Sequence, residues 1–159
     1  MSDTKDTSTD KHTEPSGNVP NNPGRGKYAH MGFFKRIVDD IEKQAEFYST
    51  VFELKQMGPI HYPEKSVITG GPIADVNFSP TVENGAIFAL MKYMDRPAPP
   101  PGSMIFGIMT SDIDALMKRA VASGGRVVQP IRDLRPVFEM KVSYMEDPEG
   151  HLIEVAELK

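Results

Sequence analysis

The chain has 159 residues, a formal net charge of −4 and no cysteine. That length suits one domain with a real core, and the missing cysteines exclude disulfides, thiolate metal sites and a cysteine nucleophile. Mild acidity without a basic cluster argues against nucleic acid as the main partner. No stretch approaches the ~18 apolar residues of a membrane-spanning helix, so no membrane partner is expected. The lack of cysteine fits a cytoplasmic location.

Apolar content is 39%, and much of the deficit sits at the N-terminus. Residues 1–26 are dominated by Ser, Thr, Asp, Asn, Gly and Pro, with Val19 the one aliphatic residue besides Met1. They are expected to form a disordered tail, because they cannot bury enough apolar area to offset the entropy of ordering. No apolar run follows the tail's charges, as a signal peptide would require. Residues 27–159 are expected to form the folded domain.

In chain order, residues 30–38 read as a strand. Asp39 and Asp40 follow, with Glu42 three residues after Asp39 in the manner of a capping box. Ile41, Ala45, Tyr48 and Phe52 then fall at helical spacing, which predicts an amphipathic helix over 40–52. Short strands are expected at 54–57, 65–69 and 73–79, and a clear strand at 86–93 after the Glu83-Asn84-Gly85 turn. Residues 96–102 carry four prolines and read as an extended linker.

The pattern then restarts. Residues 104–110 read as a strand, with Ser111 as a helix cap. Ile113, Leu116, Met117 and Ala120 make an apolar helical stripe that ends at Gly124-Gly125. Strands are expected at 126–130 and 137–145. Asp147-Pro148-Glu149-Gly150 is turn chemistry, and it leads into a last strand from His151 to Glu157. Asp40 and Asp112 both open a helix after a strand, so each half reads βαβββ. The fold class expected from pattern alone is α+β, with module one over 27–95, linker 96–102 and module two over 103–159.

These residues also match a known family. Asp40, Phe47-Tyr48 and Val51-Phe52-Glu53-Leu54 resemble the first-helix signature of the glyoxalase / bleomycin-resistance / extradiol-dioxygenase (vicinal oxygen chelate, VOC) superfamily. Asp147 through Glu154 resembles that superfamily's final hairpin, and Gly124-Gly125 its second helix end. One departure is Glu53, where the family usually has glycine. The resemblance implies two paired βαβββ modules forming an eight-stranded, half-open barrel around a cavity, commonly in a homodimer. It also implies a divalent metal held by His or Glu on strands one, four, five and eight in many members. Such a metal acts as a Lewis acid on vicinal substrate oxygens.

Carried over residue by residue, those four positions fall on Phe33, Ala89, Ile105 and Glu154. Three of the four cannot bind a metal, and one carboxylate does not hold a divalent ion with useful affinity. No cofactor is therefore expected; a divalent metal would need Glu154 with help from His30, His61 or His151. His30 would serve only after a register slip of three residues, which turns the strand's apolar face outward.

The expected cavity face holds Phe33, Lys35 and Ile37 on the first strand, and Ala89 and Met91 on the fourth. It holds Ile105, Gly107 and Met109 on the fifth and Glu154 on the eighth. That is an apolar pocket with two polar groups, the usual make-up of a small-molecule site. Glu154 is the expected catalytic carboxylate, paired with Lys35 or acting as a general base on a carbon acid. The bland alternatives are a satisfied Glu154, a solvent-seeking Lys35 and methionines that are ordinary core. His61, with Tyr62, is placed in a loop over the pocket, where an exposed loop histidine is the commoner case. His151 is expected on a solvent-facing strand.

Two function classes follow. One is a glyoxalase-like lyase or isomerase acting on a small, partly apolar carbonyl compound. The other is a metal-free protein that sequesters a small apolar molecule, as the superfamily's antibiotic-resistance members do. An extradiol dioxygenase is a poor third, because it needs two His and a carboxylate on iron and neither family His position carries one.

Overall fold

A computed structural model describes residues 32–66, 69–83 and 85–158; the expected tail and His30 lie outside them. The first module comprises β1 (Phe33–Ile37), α1 (Ile41–Val51), β2 (Ile73–Phe78) and β3 (Ile87–Tyr93). The second comprises β4 (Phe106–Thr110), α2 (Ile113–Ala122), β5 (Arg126–Asp133), the short α3 (Arg135–Phe138), β6 (Met140–Glu146) and β7 (Leu152–Leu158). The strands form two mixed sheets, ordered β1-β3-β2 and β4-β7-β6-β5.

The internal repeat is visible in the pairing. β1 lies parallel to β3 with Lys35 opposite Ala89, and β4 lies parallel to β7 with Gly107 opposite Glu154. In each module the last strand is thus the central partner of the first. The strand expected at 54–57 is reduced to isolated bridges, Gln56 to Phe78 and His61 to Asp75. These run along the outer edge of β2, where β5 runs along β6. Seven strands and two full helices therefore stand for the expected βαβββ duplication, and among the described residues no ladder joins the two sheets.

Both helices start one residue from where the sequence suggests. Asp40, not Asp39, caps α1, its carboxylate accepting from Lys43 N at 3.0 Å. Asp112, not Ser111, caps α2, accepting from Ala115 N at 2.9 Å. An Asp carboxylate reaches the N–H groups of the first turn well, which makes it a strong cap. The helix ends differ. α2 is followed by Gly124 with φ +90°, whereas α1 is followed by Glu53 with φ +57°. The family's usual glycine is thus replaced by a residue that must adopt the left-handed conformation.

Two further expectations are corrected. No strand forms over 65–69 among its described residues. Residues 137–139 belong to α3 and its end rather than to a strand, because Pro136 suits a helix's first turn and Glu139 turns left-handed at φ +52°. β5 continues past Pro130 to Asp133; a sheet-edge strand tolerates the missing N–H, and its register shifts on both sides of Gln129.

One core serves both modules. Ile41, Phe47, Tyr48 and Val51 of α1 pack with Ile113, Leu116 and Met117 of α2, and with Leu90, Met145, Ile153 and Val155 of the sheets. Phe106 of β4 sits edge-on to Phe88 of β3, ring centres 5.2 Å apart. The helix-bearing faces of the two sheets therefore share this interior. By the two-residue alternation of strands, their other faces point away from it.

Candidate functional site

The best-satisfied polar group in the interior lies across the two modules. Arg36, whose side chain is 6% exposed, points from β1 to the inside. Its Nη1 donates to the Tyr48 hydroxyl and, at 3.1 Å, to Asp147 Oδ2. The Tyr48 hydroxyl donates to the same Asp147 oxygen at 2.9 Å. Asp147 Oδ1 accepts from Glu149 N and His151 N, each at 3.0 Å, which shapes the turn between β6 and β7. Gln44, oriented to satisfy its amide, donates to Asp147 Oδ2 and accepts from Glu149 N, both at 3.2 Å. Burial first of all holds the Tyr48 phenol well above its usual pKa, so it stays a donor at neutral pH. A buried charge pair that leaves no fully buried side-chain atom unpartnered is a positioning device: it fixes the final hairpin against β1 and α1.

The same turn reaches the start of α1. Glu149 accepts from Asp39 N at 2.9 Å and Asp40 N at 2.7 Å. In the second module Glu157 accepts from Ile113 N at 2.8 Å. Each helix N-terminus thus meets a carboxylate from the end of the chain, which complements its partial positive charge.

The hairpin places Glu154 on the outward face. There it stands beside Tyr144 of β6 and Gly107 of β4. Tyr144 stands directly opposite Glu154 across the β6–β7 ladder, and the neighbouring carboxylate is the main cause of its raised phenol pKa. Gly107 leaves open space where a side chain would stand, so the carboxylate borders a shallow depression. Ile105 and Met109 flank it, 52% and 59% exposed.

Lys35 does not pair with Glu154, whose cross-strand neighbour is Tyr144. Lys35 is exposed on β1, opposite the buried Ala89, and lines a cavity with Arg36 and His151. Phe33 is exposed, while Met91, on the same face as Ala89, is buried. Ile37 is half-buried. The expected pocket residues are therefore spread over two sheets: Phe33, Lys35, Ile37, Ala89 and Met91 share one face of the first, and Ile105, Gly107, Met109 and Glu154 border one face of the second. His61 is exposed, with Nδ1 3.7 Å from Asp75 Oδ1. His151 is not solvent-facing: its side chain is 13% exposed, and burial lowers its pKa.

The donor set does not fit the family's metal. Among the described residues no group of three or more His, Asp or Glu stands close enough to share an ion. At the family's four positions the side chains are those of Phe33, Ala89, Ile105 and Glu154, and only the last carries a donor.

Sequence reasoning missed Arg36, Gln44 and Tyr144 as polar partners, and read Tyr48 as apolar stripe. One signal for Tyr144 was available. A hairpin whose turn joins Glu146 to Leu152 sets Tyr144 opposite Glu154 by register.

Comparison with known proteins agrees with this architecture. Among solved structures, the chain is similar to a glyoxalase-related enzyme from Fulvimarina pelagi, at 21% identity and TM-score 0.60, covering 80% of this chain and 87% of that one. It is similar to a glyoxalase family protein from Bacillus cereus, at 17% identity and TM-score 0.71, covering 84% and 97%. It also resembles a V278E mutant of glyoxalase I from Zea mays, at 16% identity and TM-score 0.61, covering 79% of this chain and 45% of that one. No curated protein sequence matches. A family model matches residues 23–155, and by that match the chain belongs to the Glyoxalase/Bleomycin resistance protein/Dioxygenase superfamily.

Proposed function

We propose that the protein acts on a small, partly apolar carbonyl compound as a glyoxalase-like lyase or isomerase, with Glu154 as proton acceptor and Tyr144 as its hydroxyl partner. The observation that carries this reading is the Glu154 carboxylate set opposite the Tyr144 phenol and beside the open space at Gly107. A C–H next to a carbonyl gives its proton to Glu154, and the charge passes to the carbonyl oxygen. Tyr144 is protonated at neutral pH, as any phenol titrating at ~10 or above is, so it can donate to that oxygen. In an α-hydroxy carbonyl, return of the proton to the former carbonyl carbon, with the hydroxyl proton passing to the other oxygen, completes an isomerisation; loss of a leaving group β to the carbonyl completes an elimination.

A second copy of the chain belongs to the same proposal. Phe33, Ile105 and Met109 leave apolar side chains open on faces that one chain does not cover, and an opposing face would exclude water from Glu154. Sedimentation that reports a monomer at assay concentration would remove that part.

The test is Glu154→Gln. Turnover on a panel of α-oxo and α-hydroxy carbonyl compounds should fall by about a hundredfold or more, the scale of a lost general base. In the same variant the Tyr144 phenol, followed by ultraviolet titration, should fall back toward its ordinary value near ~10. Full activity in Glu154→Gln sinks the catalytic assignment. A second reading, sequestration of an apolar molecule without turnover, is favoured by the missing donors at Phe33, Ala89 and Ile105. It predicts ligand binding that survives Glu154→Gln. Elemental analysis of the purified protein, with activity before and after chelator, checks the donor inventory: a stoichiometric divalent ion would overturn it.

A further inference from the structure

A cavity of about 150 Å³ lies where β1 of module one meets the linker and the start of module two. Its polar lining comes from Lys35, Arg36, Ser103 and His151, and its apolar lining is mainly Pro99, Pro100, Pro101 and Phe106. None of the Tyr144–Glu154 face belongs to it. The proline run is tied down nearby: Ala98 N donates to Asp39 Oδ1 at 2.7 Å, and Asp39 N in turn donates to Glu149.

Arg36 is the informative residue. It spends a single nitrogen, Nη1, on Tyr48 and Asp147. Among the described residues Nε and Nη2 make no hydrogen bond, and no fully buried side-chain nitrogen is left without a partner. Those two nitrogens therefore border open space, and Arg36 lines the cavity. They form the side edge of the guanidinium, the planar two-donor fork that matches a carboxylate. The plane itself is held by Phe106, with the guanidinium carbon 4.0 Å from the ring centre. A buried arginine pre-set by one carboxylate and one ring offers its remaining edge at little further entropic cost.

The charges around it select the ligand. Asp147 balances Arg36. The Glu149 carboxylate is taken up by the backbone N–H groups of Asp39 and Asp40, and its approach to His151 Nε2 is 3.9 Å. Lys35 has no ion-pair partner among the described residues, so it supplies one net positive charge. Pro99, Pro100 and Pro101 offer no N–H, so that part of the lining suits an apolar tail, and Ser103 adds a single hydroxyl. A cavity of about 150 Å³ holds a benzene-sized molecule.

We propose that this cavity binds a small monocarboxylate with a short apolar tail, its carboxylate on the Nε–Nη2 edge of Arg36, with Lys35 as counter-charge and the tail against Pro99–Pro101.

The test uses the full chain at low salt, with butyrate as probe and butyramide and inorganic phosphate as controls. Butyrate should bind one to one and move the Arg36 Nε–H resonance in a ¹H–¹⁵N spectrum. Lys35→Met should weaken binding about fivefold, the upper range for a partly exposed charge contact. Glu154→Gln should bind butyrate as the parent does, which separates this site from the proposed reaction. No shift of the Arg36 resonance at saturating butyrate overturns the proposal, as does equal binding of butyramide. Tighter binding of phosphate than of butyrate overturns the monocarboxylate class, and unchanged affinity in Lys35→Met overturns the role of that charge.

Discussion

The two modules share one frame and differ in what they hang on it. β1 against β3 and β4 against β7 are the same parallel pairing, and Asp40 and Asp112 cap the two helices in the same way. Yet the pair Lys35–Ala89 in module one corresponds to Gly107–Glu154 in module two. On the inward faces, Arg36 of module one corresponds to Ile108 of module two. The first strand of module one thus turns a cation inward, where that of module two turns an apolar residue. The buried anion, Asp147, comes from module two's last hairpin, and the outward carboxylate, Glu154, from its last strand. Duplication of a fold fixes caps, pairings and core stripes, and leaves the chemistry free to settle in one copy.

The inward difference should give the largest effects. Arg36→Met leaves Asp147 buried without its cation and should lose about 3–5 kcal/mol in urea unfolding. Adding Asp147→Asn should restore part of that loss, because removing both charges of a buried pair is milder than removing one. Ile108→Val, at the corresponding position of module two, should lose only about 0.5–1.5 kcal/mol. Equal losses at Arg36 and Ile108 would break the comparison.

The outward difference comes next. Ala89→Val adds volume at a position 1% exposed and should lose about 1–3 kcal/mol. Gly107→Val adds volume into open space and should leave stability within about 0.5 kcal/mol, while reducing turnover or binding at the Glu154 face. If Gly107→Val leaves both unchanged, the depression beside Glu154 is not the site.

Where the frame is shared, effects should match. Asp40→Ala and Asp112→Ala should each lose about 1 kcal/mol. The helix ends should not match. Gly124→Ala forces a side chain into the left-handed region and should lose about 1 kcal/mol, whereas Glu53→Gly relieves that strain and should gain a few tenths.

The smallest effect concerns pH. Burial, ahead of every nearby charge, lowers the His151 pKa. Its contribution to stability is fully present above the unfolded value near ~6.5 and is lost as pH falls through the folded value. Parent protein should therefore lose more stability than His151→Gln between about pH 7.5 and 5.

The frame was legible because its signals are local. Apolar spacing in Ile41 to Phe52 and Ile113 to Ala120, and the Asp-Pro-Glu-Gly turn, each lie within a dozen residues. The caps missed by one residue because neighbouring Asp39–Asp40 and Ser111–Asp112 offer equally good oxygens, and backbone geometry picks between them. The Arg36–Tyr48–Asp147 group was illegible for the opposite reason. Its members lie 99 and 111 residues apart, and nothing in a strand pattern says that its arginine is the inward residue. Alternation assigns Phe33, Lys35 and Ile37 to one face correctly, but which face is solvated depends on how the modules dock. Glu154 was found on a turn motif; its partner Tyr144 needed the register of the whole hairpin.

The distance along the chain between Arg36 and Asp147 also sets an order of events. Asp147 follows Arg36 by 111 residues, so during synthesis module one emerges long before the carboxylate its buried arginine requires. Until the last hairpin closes, β1 holds either an unpaired cation or an arginine still in water, and α1 lacks the Glu149 carboxylate at its start. Module one is therefore expected to lack a stable folded state by itself, and the chain should fold as one cooperative unit whose rate is set by a long-range closure.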